Sequence, residues 1–400
     1  MKIAILIERF DPLAGGAERS TAQIAQQLAE RGHEVTILTW WHKQEHPLPP
    51  VTIEARSTRR KLSGVRLGKF VRWTADALRS GRIDTSLSVT TAVPAAIVQP
   101  RGGTVAETLD RNIALRTSPL ARTAKKITTA LSYKRRRLLA LERQTLNDPS
   151  VRYIAAVSDY VADQLKRHYQ IDDDRVQVIN NASQMPAADD AQRAGWRSVI
   201  RRGFGAADTT TVYLFAALNP RLKGARSLLE AVRLLKQQGR NFRLFIAGAV
   251  SYRLQERAQR LGIRDRVSFV GPTQNMAALY CAADVTVHPT FYDPSSKVVI
   301  ESLMMGTPAI STAYNGASAL LAADGADHSA RLGLVIPDPA DHTALAAAMA
   351  ELADPARRTH CHAMRHQLAA DLSMGRHVDQ LEHLLESAAT PLAGPTRLVV

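Results

Sequence analysis

Short apolar runs alternate with segments of helical periodicity along the whole 400-residue chain. The run KIAILI at positions 2–7 reads as a buried strand. GGAERSTAQIAQQLAERG follows, with Ala17, Thr21, Ile24 and Leu28 on one helical face and Gly32 placed to end the helix. HEVTILTW is the next strand. Strand, glycine turn, helix and strand in about forty residues make a βαβ unit, so a parallel sheet is predicted. The same alternation continues through IDTSLSV, then VRYIAAVS and the helix DYVADQLKRHY.

A second series begins near Thr211. TTVYLFAAL precedes a helix from about Gly224. FRLFIAG, a helix to Leu261, RVSFVG, a short helix, ADVTVHPT, another helix and TPAIST follow in turn. Between the series lies NNASQMPAADDAQRAG, small and polar enough for a linker. The expected fold class is α/β: two doubly wound domains, residues 1–182 and 190–370, facing across a cleft. Residues 371–400 are expected to return a helix to the first domain and then trail off. Ligands of such sheets bind beyond the carboxyl ends of the strands, and a cleft between two domains is the default site.

Three places carry candidate chemistry. Gly15 and Gly16 stand where the first strand passes into the first helix. There the backbone can approach a phosphate and the helix N-terminus offers unpaired N–H groups. A plain tight turn is the alternative reading. Arg221 and Lys223 follow the strand TTVYLFAAL and suit a diphosphate, or else form a solvated basic loop. In TFYDPSSKVVIESLMMGTPAIST, Ser295 or Ser296 can cap a helix that ends at Gly306. Asp293 then sits at its positive end, and Glu301 points away from Val299, Ile300 and Leu303. Carboxylates at such places accept from sugar hydroxyls. Helix-dipole service by Asp293 and a surface role for Glu301 are the plainer alternatives.

Charge sharpens the picture. The formal net charge is +15, and from Arg101 to Leu146 eleven Lys and Arg face three acids, so more than half of that net charge sits in 46 residues. An anionic partner is implied. Ile127, Leu131, Leu138 and Leu141 recur at helical spacing beside Lys125, Lys126, Lys134, Arg135, Arg136 and Arg137. This reads as a basic amphipathic helix for an anionic membrane surface, or a core helix with a solvated basic face. Nucleic acid is disfavoured: aromatics are 5% of the chain and no reader motif appears. Two cysteines, Cys281 and Cys361, make neither a disulfide framework nor a zinc site. The apolar run Ile3–Ile7 is too short for a signal peptide or a membrane span, and no later stretch approaches twenty apolar residues.

These motifs together resemble the retaining glycosyltransferases of two-Rossmann (GT-B) architecture, typified by sucrose synthase and bacterial cell-surface sugar transferases. They are most like the lipopolysaccharide core glucosyltransferases. That family carries a glutamate, seven residues, and a second glutamate on a helix ending EA…G-P-V. Here YDPSSKVVIESLMMGTPAI puts Asp293 and Glu301 in those places. LGIRDRVSFVGPTQNMAALYCAADVTVHPT, AGGAERSTAQIAQQLAERGHEVTILT, LNPRLKGARSLLEAV and IAAVSDYVADQLKRHY resemble other family segments, so the likeness spans most of residues 1–350.

The resemblance implies roles residue by residue. Glu301 would accept from the donor's ribose hydroxyls. Asp293, Ser295, Ser296, Lys297 and Val298 would line the transferred sugar and its phosphates. Arg221 and Lys223, with amides at Gly15 and Gly16, would neutralise the departing diphosphate. Gly271 and Thr273 would lie near the base. Asp293, Glu301, Lys223 and Arg221 are the expected catalytic set. No metal and no cofactor is expected. The nucleotide-diphosphate sugar, a UDP-sugar first, is a substrate. The acceptor would be a lipid-linked or polysaccharide glycan, reached from the inner face of the cytoplasmic membrane. Asp replaces the first Glu, Pro294 follows it without an N–H, and the junction reads INNAS, where only Asn181 matches. A nucleotide-sugar epimerase of the same architecture and a non-catalytic membrane scaffold are the alternatives.

Overall fold

The computed structural model describes every residue except 14, 44–45, 58–63, 117, 323–329 and 390–400. The chain divides into two compact units. One comprises residues up to Asn180 together with the segment from Met374, and the other runs from Asn181 to Ser373.

The first unit is built on a parallel sheet. Its strands are β1 (Lys2–Phe10), β2 (Glu34–His42), β3 (Thr52–Ala55), β4 (Thr85–Ser88), β5 (Ile97–Val98), β6 (Tyr153–Ala156) and β7 (Val176–Val178). They lie in the order β3-β2-β1-β4-β5-β6-β7. The order reverses direction at β1, which pairs with both β2 and β4. Strand β1 is apolar without alternation because helices cover both faces of the sheet. Helix α1 (Gly16–Glu30) buries Thr21, Ile24, Ala25 and Leu28, as its periodicity requires. Helix α2 (Gly64–Arg79) crosses to β4, and α6 (Asp159–Tyr169) leads to β7.

Helices α3 (Val105–Ala114), α4 (Pro119–Ala130) and α5 (Tyr133–Leu146) fill the long connection from β5 to β6. The basic segment is therefore two helices, where one amphipathic helix was expected. Ser118 caps α4 by accepting from the Ala121 N–H, with Pro119 opening the helix. Leu131 closes α4, and Ser132 stands at the N-cap of α5. The break separates the apolar residues. Ile127 and Leu131 are 54% and 74% exposed, whereas Leu138 and Leu141 pack against the core around Ala4, Leu6 and Phe70. Two buried carboxylates tie this insert down. Glu142 on α5 accepts from the N–H groups of Val105 and Ala106 at the start of α3. Glu107 on α3 accepts from Tyr160 Oη at 2.9 Å and is ion-paired with Arg111, whose Nε lies 3.1 Å away.

Helix α15 (Met374–Ala389) belongs to this first unit and packs on α1, β4, β5 and β6. Arg31 pairs with Glu382 and Asp379, and His33 Nε2 lies 2.6 Å from Glu382. Arg152 donates to the Ala388 carbonyl at 2.7 Å.

The second unit repeats the plan. Its strands are β8 (Thr211–Ala217), β9 (Phe242–Gly248), β10 (Val267–Gly271), β11 (Val285–Val287), β12 (Ala309–Thr312) and β13 (Gly333–Ile336), in the order β10-β9-β8-β11-β12-β13. Helices α8 (Ala225–Gln237), α9 (Tyr252–Arg260), α10 (Met276–Ala282), α11 (Lys297–Met304) and α12 (His342–Leu352) connect them, and α7 (Asp190–Gly203) leads in. The core joins Leu228, Leu229, Val232 and Leu235 of α8 to Tyr213, Phe215, Leu244 and Ile246 of the sheet. Here the reversal falls at β8, flanked by β9 and β11. In open α/β sheets that switch point is where a crevice forms at the carboxyl ends. The loops that follow β8 and β11 are the ones that carry Lys223 and Asp293.

No helix among the described residues is long and apolar enough to cross a membrane.

Candidate active site

The loop after β8 and the loop after β11 are stitched together by backbone. The Phe291 N–H donates to the Leu222 carbonyl at 2.9 Å. Gly224 opens α8 with φ of +79°, and a Cβ there would meet the Pro289 carbonyl oxygen at 2.0 Å. Only glycine allows both the left-handed backbone and that approach. The consequence is local and chemical. Lys223 Nζ reaches across to donate to Asp293 Oδ2 at 2.6 Å and to the Tyr292 carbonyl at 3.0 Å. The two side chains are 19% and 14% exposed, so the pair is largely dry yet open at one side.

His288, 1% exposed, completes the group: its Nε2 lies 3.2 Å from the same Asp293 oxygen. Burial opposes ionisation of Asp293, but the Lys223 charge and the His288 hydrogen bond outweigh it and hold the carboxyl far below the usual range. Burial pushes His288 the other way, toward the neutral ring, against its hydrogen bond to Asp293; Lys223 adds to the push. The neutral ring then donates from Nε2, and its buried Nδ1 has no hydrogen-bond partner among the described residues.

The acidic loop is also clamped from the β12 side. The Asp293 N–H donates to the Tyr314 carbonyl at 2.9 Å, and the Gly316 N–H donates to the Asp293 carbonyl at 3.0 Å. Asn315 accepts from the Ser296 N–H at 3.0 Å and donates to Ser311 at 2.9 Å. Asn181 donates to the Ser295 carbonyl at 2.9 Å. Ser296 occupies the N-cap position of α11, but its side chain makes no capping bond.

Glu301 lies one turn into α11. Its Oε1 accepts from Ser183 Oγ at 2.8 Å and its Oε2 from Tyr280 Oη at 2.9 Å. It is therefore not a solvated surface glutamate. It stands half-buried, held in one orientation by a donor from the junction segment and one from α10. Burial raises the Tyr280 phenol well above its usual range, and the Glu301 charge and hydrogen bond add to this. Tyr280 thus remains a donor.

The structure brings Lys223, Asp293, Ser295, Ser296, Lys297, Val298 and Glu301 onto two adjoining loops and one helix. Arg221 is exposed on the same turn as Lys223. Ser295 and Ser296 are buried, 9% and 2% exposed. Asp293 does not serve the α11 dipole either, since Lys223 and His288 claim it. Gly271 ends β10, two strands away from β8, and Thr273 follows it. Thr273 Oγ1 accepts from the Asn275 N–H at 3.1 Å, in the turn that caps α10. Gly15 and Gly16 begin α1 in the first unit. Gly15 has φ of −115°, open to any residue, and the Glu18 carboxylate fills the place of its missing Cβ at 2.5 Å. The first turn of α1 is thus already answered by a carboxylate. In the basic segment Leu120 is 84% and Tyr133 69% exposed, beside Lys125, Lys126, Lys134, Arg135 and Arg136.

His288, Tyr280, Asn315 and Ser183 were not singled out from the sequence. The signals were slight: a His two residues before the end of ADVTVHPT, and an Asn-Gly pair after TPAIST.

Residues 209–354 match the family described as "Glycosyl transferases group 1", and residues 14–182 match "Glycosyltransferase Family 4". The two matches together span most of the chain. The chain belongs to the group 1 glycosyltransferases. It is 23% identical over 341 residues to the lipopolysaccharide glucosyltransferase WaaG of Escherichia coli (strain K12), covering 85% of this chain and 86% of WaaG. It is 32% identical over 183 residues to a D-inositol 3-phosphate glycosyltransferase of Pseudarthrobacter chlorophenolicus, covering 43% of this chain and 41% of that one. The crystal structure of WaaG superposes with a TM-score of 0.73 at 22% identity, covering 98% of this chain and all of WaaG's. A sucrose-phosphate synthase from Thermosynechococcus elongatus gives 0.73 at 19% identity over 96% of this chain and 98% of its own. At these identities the structures show the fold, which is GT-B with two Rossmann-like domains. The family matches make the chain a glycosyltransferase.

Proposed function

We propose that the transferase moves a sugar from a nucleotide-diphosphate donor, a UDP-sugar first, onto a lipid-linked or polysaccharide acceptor of the lipopolysaccharide-core kind. The reading is supported by the WaaG likeness and by a third structural neighbour, Anabaena HepE, solved with UDP-glucose. The observation that carries it is the Lys223–Asp293 pair at the switch point of the second unit, with Glu301 one turn further on.

In the free protein Lys223 is parked on Asp293. A diphosphate entering the crevice offers Lys223 a doubly charged partner, and Arg221 adds a second cation. Charge that builds on the leaving diphosphate as the glycosidic bond breaks is thereby met by fixed cations. This chemistry requires no metal ion. Glu301, already aimed by Ser183 and Tyr280, has lone pairs left to accept from vicinal ribose hydroxyls. Asp293, freed from Lys223, accepts from a hydroxyl of the sugar. Transfer with retention is carried over from the likeness to the retaining glycosyltransferases.

The exposed apolar residues of the basic segment, flanked by lysines and arginines, would seat on an anionic bilayer. The acceptor would then be met at the inner face of the cytoplasmic membrane. Replacing Arg135, Arg136 and Arg137 with Gln should reduce co-sedimentation with phosphatidylglycerol vesicles; undiminished binding would remove this segment from membrane contact.

The deciding assay is UDP release from a UDP-sugar with and without a truncated lipopolysaccharide acceptor. Acceptor-dependent release, undiminished by EDTA and yielding an α-linked product from an α-linked donor, is expected. Donor conversion without acceptor would favour an epimerase.

A further inference from the structure

The second unit has another cavity, on the face where α7 and α13 (Thr359–Ala363) meet the end of α10. Its volume is about 530 Å³, within the range of small-molecule sites. Arg193, Arg197, Arg358 and His362 line it, against Asp190 and Asp284.

The charges there do not balance. Asp284 is the shared partner of three guanidiniums: Arg197 at 2.8 Å and Arg358 at 2.7 Å on Oδ1, and the buried Arg201 on Oδ2. A carboxylate carries one negative charge, so Asp284 cannot neutralise all three, although Asp208 also acts on Arg201. Arg193 donates only to a carbonyl, that of Met305, and has no carboxylate partner among the described residues. Arg365 already takes Asp190, at 2.8 Å. A guanidinium has five donors; those of Arg201 and most of Arg197's go to Asp284 and to backbone carbonyls, so the spare donors are chiefly those of Arg193 and Arg358. Surplus planar donors around a pocket suit a phosphate better than a second carboxylate, because three oxygens can each take a fork. His362 agrees: burial, then Arg365 and Arg193, disfavour its protonated form, so local positive potential stands unanswered there.

The floor of the cavity is not the donor crevice. It is formed by Cys281, Gly306 and Thr307, and neither Tyr280 nor Glu301 lines it. Thr307 Oγ1 donates to the Tyr280 carbonyl at 2.8 Å.

We propose that this cavity is a second anion site, which takes a small phosphate ester through Arg193, Arg197 and Arg358. The inference is independent of which sugar or acceptor the transferase uses.

The test is calorimetric titration of the full chain with inorganic phosphate at constant ionic strength, with Lys223→Met run in parallel so that binding at the donor crevice is told apart. Saturable binding is expected at one site per chain. Arg193→Gln with Arg358→Gln should weaken it at least about tenfold, as befits the loss of charge-assisted hydrogen bonds. Arg358 also holds Asp284, so a second variant guards against misfolding: Ala194→Trp fills the cavity from the exposed side of α7 and breaks no ion pair. It should abolish phosphate binding while melting at the parental temperature. In wild type, phosphate should move the His362 ring resonance and raise its pKa. Absence of saturable binding to wild type, or equal phosphate affinity in wild type and Ala194→Trp, overturns the proposal. A lipid headgroup carries the same phosphate. If Ala194→Trp loses vesicle binding but keeps free phosphate binding, the soluble-ester assignment is likewise overturned.

Discussion

The change Asp293→Asn should have two effects of opposite sign. The carboxylate holds Lys223 at 2.6 Å in a pair whose side chains are 19% and 14% exposed. Removing it strands a largely buried ammonium, which should cost folding about 3 kcal/mol. The same change takes a negative charge away from the place where a diphosphate must sit. At a separation of about 10 Å and an effective dielectric of about 20, that repulsion is worth roughly 1.5 kcal/mol per unit of diphosphate charge, or at least about tenfold in affinity. The variant should therefore unfold at lower urea and yet bind UDP more tightly. Turnover should fall, because the sugar loses an acceptor. Lys223→Met should destabilise in the same direction but weaken UDP by about tenfold or more. The double variant leaves neither ion alone, so it should recover at least about 1 kcal/mol relative to the sum of the singles. Urea unfolding and UDP calorimetry on the four proteins measure both effects. Additive stability losses, or UDP affinity unmoved by either substitution, would refute the reasoning.

Three further outcomes are expected. Gly224→Ala forces a Cβ to within 2.0 Å of the Pro289 carbonyl oxygen at a φ of +79°, so it should cost about 2–3 kcal/mol or more in urea and loosen UDP binding, while Gly239→Ala, with open space around it, should leave UDP affinity unchanged. His288 is neutral in the fold because its pKa is lowered; the unfolded ring, with pKa about 6.5, takes up a proton that the folded one refuses. Stability should then decline as pH falls below about 6.5, and again below about 4, where the depressed Asp293 carboxyl contributes less as its unfolded counterpart protonates. In His288→Gln the upper limb should flatten, as read by melting temperature against pH. Glu301→Gln keeps shape but removes the anion that Ser183 and Tyr280 orient, so the donor KM should rise by about one to two orders of magnitude; a wild-type KM would take Glu301 out of the site.

The fold was legible because it rests on short-range regularity. Runs such as KIAILI and FRLFIAG can only be buried strands when helices of period 3.6 separate them, and parallel order follows from the crossovers. The same logic found Lys223 and Asp293, since both follow strands. What it missed depends on contacts distant in sequence. Nothing near His288 reveals that its ring faces Asp293. Ser183 and Tyr280 reach Glu301 across 118 and 21 residues, and the Asn315 clamp closes on a loop 19 residues earlier. The basic segment was misjudged for a local reason. Periodicity counts apolar positions and overlooks Ser132, which starts a new helix and turns Leu138 and Leu141 inward while Ile127 and Leu131 stay outside.

The central claim is that the switch point of the second unit receives the donor diphosphate. Hydrogen–deuterium exchange of the full chain with and without UDP tests it directly. Amides at 218–225 and 288–301 should slow together on adding UDP, and Lys223→Met should lose that protection. Unchanged exchange in both stretches at saturating UDP, with protection elsewhere, would contradict the account.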